Sequence, residues 1–221
     1  MSGDTTGVPA RAVETLAESN ARLLLKVAQL EYEVAQARHL AYNDVLTGLP
    51  NRALLLDRLE QAMLQAGRQH KAVGLLLLDL DHFKTVNDRF GHNMGDLLLH
   101  HVAARLLRGI RGCDTACRYG GDEFVIMLPA ARGADDTEVV KEKLRTRLSL
   151  PYRLGDHLVT IGTSIGAAVY TAGAASCAEL IAAADSAMYR AKAHSVAVTW
   201  RRYGPSENWD YRDERFMALP S

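Results

Sequence analysis

Apolar side chains between about Val13 and Tyr42 recur four and three residues apart, at Leu16, Leu23, Val27, Leu30, Val34, Ala37 and Ala41. Asn20 is the single polar member of this series. The spacing predicts a helix with a heptad seam running nearly four repeats. Leucine takes the d position in the first three repeats, Val27 and Val34 take a, and Asn20 is a lone polar a residue. That combination favours a parallel two-stranded coiled coil, with the asparagine fixing register. The same stripe would also serve a helix packed on its own domain.

After this helix the period changes. Gly48 and Pro50 interrupt it, and Asn51 or a neighbour is placed to cap a helix over about 52–67. Residues 72–80 are apolar almost throughout, the pattern of a strand covered on both faces. Helix is expected at 82–90, stopping at Gly91 and restarting near Gly95 to about 111. A strand, a Gly-Gly turn and a second strand fill 114–128, and a helix covers about 134–148. Strand-like residues 157–170, an Ala-rich helix at 176–193 and a last strand near 196–201 follow. This order predicts an α/β domain, a central mixed sheet flanked by helices on both faces. Three segments are expected: a mobile start and coiled-coil helix over 1–42, the main domain over 43–200, and an aromatic-rich tail over 201–221 containing Tyr203, Trp209, Tyr211 and Phe216.

Composition narrows the function classes. The chain has 221 residues, 48% of them hydrophobic, enough for one substantial core. Its 26 basic and 26 acidic residues cancel, so the basic excess of a nucleic-acid binder is missing. Cys113, Cys117 and Cys177 cannot all pair with one another, and Cys113 and Cys117 lack the partner ligands of a zinc site, so reduced thiols are expected. The first residues have no basic n-region or apolar run, and the longest apolar stretch, Val73 to Leu78, is far too short to span a bilayer. These features predict a cytoplasmic protein without direct membrane insertion.

The candidate chemistry is acidic. Asp79 ends the buried strand, where α/β sheets place ligands. Asp81 is placed to cap the next helix, whose free N–H groups form a seat for phosphate. Lys84 in its first turn is either a phosphate grip or an ordinary surface lysine. Downstream, Gly120-Gly121 marks a tight hairpin and lets a bulky phosphate approach the backbone. Asp122 and Glu123 leave that turn on opposite sides of the strand. One can join Asp79 on a magnesium ion, and the other can serve a second metal or take a proton.

The motifs together resemble the GGDEF family of diguanylate cyclases. The likeness runs over about 43 to 195: Asp44-Val-Leu-Thr-Gly-Leu-Pro-Asn-Arg52, the stretch Asp79 to Asp96, Arg118-Tyr-Gly-Gly-Asp-Glu-Phe124, and Ala184 to Lys192. The resemblance implies a palm-like fold, and a homodimer that condenses two GTP into cyclic di-GMP and two pyrophosphates. It implies Mg2+, or Mn2+, held by Asp79, Asp122 and the Leu80 carbonyl. Glu123 would be a further metal ligand or the base for the ribose 3′-hydroxyl. Phe83, Lys84 and Lys192 would hold phosphates, and Asn87 and Asp96 would read guanine. Arg111 and Asp114 fit the family's Arg-x-x-Asp site, where cyclic di-GMP binds as an inhibitor. One position departs from the pattern: Val196 stands where the family carries a second phosphate-gripping arginine, with Arg190, Arg201 and Arg202 nearby to replace it. The alternative function is a catalytically weak receptor that binds cyclic di-GMP through Arg111 and Asp114.

Overall fold

The computed structural model describes residues 10–69, 71–171, 176–193 and 198–202. The expectations for the first nine residues, for Val196 and for the tail beyond Arg202 lie outside these residues. The chain divides into two units, after Ala41.

The first unit is the body of helix α1, Ala10–Tyr42. No side chain of the seam is buried from Asn20 to Ala41. Leu23, Val27, Leu30 and Val34 are 61%, 50%, 47% and 49% exposed, so the stripe is available along its described length.

The second unit contains helices α2 (Arg52–Gln69), α3 (Phe83–Phe90), α4 (His92–Gly109), α5 (Ala134–Leu148) and α6 (Cys177–Lys192). Its strands are β1 (Ala72–Leu80), β2 (Thr115–Gly120), β3 (Glu123–Ala131), β4 (Tyr152–Leu154), β5 (His157–Thr160), β6 (Thr163–Thr171) and β7 (Thr199–Arg202). A four-stranded sheet has the order β2-β3-β1-β6, and a small second sheet has the order β4-β5-β7.

Every pairing in the four-stranded sheet is antiparallel, which corrects the expected mixed sheet. The crossover through α3 and α4 does return β2 in the direction of β1. It leaves a gap one strand wide, however, and the hairpin folds β3 back into that gap, so no two parallel strands are neighbours.

β1 is buried along its whole length because both of its faces are covered. Val73, Leu75 and Leu77 meet Leu55, Leu59 and Met63 of α2 and Leu180 and Met188 of α6. Leu76, Leu78 and Leu80 meet Val86, Leu98, Val102 and Leu144 of α3, α4 and α5. Burying each such leucine is worth about 1.5–3 kcal/mol, which makes this strand the thermodynamic centre of the domain. α6 lies close on β6, where a Cβ on Gly166 would run into the Ala184 carbonyl and the Met188 backbone.

The helix starts follow local rules with two exceptions. Asn51 Oδ1 accepts from the Ala53 and Leu54 amides at 2.9 and 3.1 Å, the expected cap of α2. Ser176 and Glu179 form a capping box on α6. α4, in contrast, begins at His92 rather than near Gly95. Gly91, at φ 83°, donates to Asn87 O at 2.8 Å and accepts from Met94 N at 3.1 Å, so one left-handed residue ends α3 and starts α4 together. Asp81 is the second exception, since it caps nothing. The residue before α3 is His82, in the left-handed region at φ 58° with no side-chain cap bond. The Asp81 carboxylate instead accepts from Ser164 Oγ at 2.6 Å, a buried bond between β6 and the residue after β1.

Candidate active site

The site is built where β1 ends. Antiparallel register sets Asp79 directly opposite Glu123, and Leu80 N donates to Asp122 O at 3.4 Å. Three features of the sequence thereby converge: the last acid of β1, the second central residue of the hairpin turn, and the first residue of β3. Asp79 is buried, while Asp122 and Glu123 are half-buried.

The hairpin owes its shape to one glycine and one arginine. Gly121, at φ 52°, takes a backbone conformation that L side chains rarely adopt. A Cβ on either Gly120 or Gly121 would meet nothing within 4 Å, so the space over the turn is open. Arg118 Nε and Nη2 donate to the Gly121 carbonyl at 2.9 and 2.7 Å. Its Nη1 lies 3.1 Å from both carboxylate oxygens of Asp44. Asp44 also accepts from the Thr47 amide and hydroxyl at 2.7 and 2.6 Å. Burial works against ionisation of Asp44, but Thr47 and Arg118 outweigh it and hold the carboxyl below its ordinary value. The turn 44–50 is thus strapped to the hairpin that carries Asp122. The sequence reading assigned no role to Arg118; the available signal was its place beside the two glycines.

The acids are short of positive charge. Burial pushes the Asp79 carboxyl above its ordinary value; the Lys192 bond opposes this and the Asp122 charge reinforces it. Glu123 is raised by burial and then by the charges of Asp79 and Asp122. Lys192, the last residue of α6, donates to Asp79 Oδ2 at 2.8 Å, and that bond raises its own pKa. Among the described residues, no three His, Cys, Asp or Glu side chains form a ready-made metal cage. Magnesium does not need one, being held typically by one or two carboxylates plus substrate phosphates and water. A buried carboxylate beside two others, all hard oxygen donors, fits a divalent cation.

α3 begins three residues after β1 ends, and its N-cap residue His82 makes no side-chain cap bond to the first-turn amides. Phe83 is half-buried and Lys84 exposed in that first turn. Asn87 faces α4, where a Cβ on Gly95 would overlap its Oδ1 and crowd the Phe83 ring. The glycine therefore lets the Asn87 amide lie against α4 next to Asp96, which is exposed. Asp96 is the fifth residue of α4 and not its cap.

Arg111 and Asp114 form a separate closed turn between α4 and β2. Asp114 Oδ2 accepts from Arg111 N at 2.8 Å, and Asp114 N donates to Arg111 O at 3.0 Å. The arginine side chain is exposed.

Known proteins resemble this chain over most of its length. Residues 41–196 match the family model described as "Diguanylate cyclase, GGDEF domain". The bifunctional diguanylate cyclase/cyclic di-GMP phosphodiesterase MucR of Pseudomonas aeruginosa is 46% identical over 177 residues, 78% of this chain and 26% of that protein. The response regulator PleD of Caulobacter vibrioides is 39% identical over 158 residues, 70% of this chain and 34% of that one. The chain thus spans well under half the length of these relatives. The solved coiled coil and GGDEF domain of DgcB from Caulobacter crescentus, in complex with c-di-GMP, superimposes with a TM-score of 0.73 at 31% identity, covering 81% of this chain and 95% of that one. Among the described residues, no helix is long and apolar enough to cross a membrane.

Proposed function

The chain belongs to the GGDEF domain family of diguanylate cyclases, and from that premise we propose that it condenses two GTP into cyclic di-GMP, releasing two pyrophosphates. The observation that carries this reading is the convergence of Asp79, Asp122 and Glu123 at one end of the sheet, beside the uncapped start of α3.

Each subunit would hold one GTP. Asn87 and Asp96 would accept from the guanine N1–H and 2-amino groups, which adenine lacks. An adenine would leave those acceptors unpaired, and that discriminates strongly. The α3 amides at Phe83 and Lys84, with the Lys84 and Lys192 ammonium groups, would hold the phosphates, and the open backbone at Gly120 and Gly121 would let them approach. Asp79, Asp122 and the Leu80 carbonyl would hold Mg2+ or Mn2+, with Glu123 as a further ligand or as the proton acceptor. The metal's contribution when bound is to neutralise charge on the triphosphate. The 3′-oxygen of one nucleotide forms a bond to the α-phosphorus of the other, the bond to the β-phosphate oxygen breaks, and the hydroxyl proton passes to Glu123 or to water. Two such transfers close the ring. Neither half-site completes the reaction alone, so catalysis consists mainly of positioning and charge stabilisation.

That requirement gives α1 its role. A parallel coiled coil through Leu23, Val27, Leu30 and Val34 would make a homodimer and raise the effective concentration of the facing half-sites. Product would bind at Arg111 and Asp114 as an inhibitor. The receptor reading draws on Val196, which removes one phosphate grip while leaving Arg111 and Asp114 intact.

Incubating the purified chain with GTP and magnesium and assaying cyclic di-GMP tests the proposal. Turnover is expected in the unsubstituted protein and none in Asp122→Ala, with cyclic di-GMP binding unchanged in both. Product binding without any turnover would favour the receptor.

A further inference from the structure

Lys192 closes α6 and reaches Asp79 from a position 113 residues away in sequence. Its side chain is 42% exposed, whereas that of Asp79 is 10% exposed, so a partly exposed lysine is set against a nearly dry carboxylate. The nitrogen lies 2.8 Å from Oδ2. In the reading above, Asp79 is also the buried carboxylate offered to a divalent cation. An ammonium and a metal ion held on the same carboxylate repel each other strongly, because the site is poorly solvated. The two are therefore competitors. Resolving that competition requires another anion within reach of Lys192, and a nucleotide phosphate seated at the start of α3 would lie only a few residues from Asp79 along the chain.

We propose, on the basis of the nucleotide-cyclase reading, that Lys192 is an internal counter-ion that couples divalent-cation binding to nucleotide binding. Without nucleotide, the lysine neutralises Asp79 and holds off a free divalent cation. With a nucleoside triphosphate present, Nζ transfers to phosphate oxygens and Asp79 is released to the cation. No covalent bond changes; one ion pair is exchanged for two. Cation and nucleotide then strengthen one another's binding, and by linkage the effect is equal in both directions.

The rival explanation of the same contact is a strut that ties the end of α6 to β1. A strut would affect stability and leave the cation unaffected, so the two ideas predict opposite results for a neutral substitution.

The test is direct Mn2+ binding to the full chain, read from the electron paramagnetic resonance signal of free Mn2+, with and without a non-hydrolysable GTP analogue. In the unsubstituted protein the analogue is expected to tighten Mn2+ binding by about tenfold, within the usual range of coupling between sites. Lys192→Gln and Lys192→Met should each bind Mn2+ more tightly than the unsubstituted protein when no nucleotide is present, by a similar factor. In both, the gain on adding the analogue, after subtracting the Mn2+ bound by the analogue alone, should be smaller than in the unsubstituted protein, while Lys192→Arg keeps it; part of the gain remains in every variant because triphosphate oxygens themselves ligate the ion. Equal or weaker Mn2+ binding by the neutral variants would overturn the proposal. So would the absence of coupling in the unsubstituted protein, a result that needs no variant to fold. Failure of the enzyme reading looks different: the coupling would be present but no cyclic di-GMP would form. Failure of the inference alone would leave cyclic di-GMP forming with the same coupling in Lys192→Gln as in the unsubstituted protein.

Discussion

Replacing Arg118 tests whether the strap between the turn 44–50 and the glycine hairpin positions the active-site acids. One guanidinium makes two bonds to the Gly121 carbonyl and contacts both Asp44 oxygens. The Arg118 and Asp44 side chains are 14% and 23% exposed, so the pair is neither dry nor a surface pair. Removing one member of a fully buried pair costs about 3–5 kcal/mol, and an exposed pair is worth about 0–1 kcal/mol. Arg118→Ala should therefore fall between these limits, at about 2–3 kcal/mol, with the stranded Gly121 carbonyl contributing about 1 kcal/mol of that. For a domain of this size that lowers Tm by about 5–10 °C. Arg118→Lys retains the charge but has one nitrogen head, which can serve Asp44 or Gly121 and not both, so about half of the loss should remain. The decisive measurement is a double-mutant cycle with Asp44→Asn, followed by urea unfolding. Coupling of about 1–2 kcal/mol is expected for groups in direct contact. Additivity within about 0.5 kcal/mol would refute the strap as an energetic unit. Turnover at a temperature where both proteins are folded should also fall in Arg118→Ala, because Asp122 follows Gly121 directly.

Gly166→Ala should destabilise the domain by about 2–3 kcal/mol or more, since the added methyl would meet helix backbone at Ala184 and Met188 rather than a yielding side chain; thermal unfolding checks this. Gly95→Ala should push the Asn87 amide off its seat, weakening GTP binding and narrowing the preference for GTP over ATP, as read by calorimetry with both nucleotides. Asp44 gives a pH signature: its folded pKa is lowered, so the folded state binds fewer protons than the unfolded chain. Its contribution is complete above the ordinary carboxylate value and is lost as pH falls through the lower folded value. Urea midpoints measured from neutral pH into that acidic range should fall less steeply in Asp44→Asn than in the unsubstituted protein.

The sequence by itself determined most of what depends on neighbours along the chain. The unbroken apolar run of β1 announced a strand with two covered faces, Asn51 announced a helix cap, and Gly120-Gly121 between two strand-like runs announced the hairpin. The position of Asp79 at a strand end was legible for the same reason, because period and punctuation are local signals, whereas Asp122 lies within the turn itself rather than just past it, since Gly120 still belongs to β2. β4 escaped notice since three residues are too few to show an alternation. Asp81 was misread because an acid just before a helix is ordinarily a cap, and only the fold brings Ser164 to it.

Tertiary structure decided the partners. Arg118 meets Asp44 from 74 residues away, Ser164 meets Asp81 from 83, and Lys192 meets Asp79 from 113. No spacing rule reaches across such distances, since contacts of this kind exist only after crossovers and hairpins have set strand order and register. The acids were visible in the sequence; their burial and mutual repulsion followed from antiparallel pairing, which puts Asp79 opposite Glu123 in a place that water cannot fully solvate, and the lysine among them from α6, whose last residue reaches Asp79.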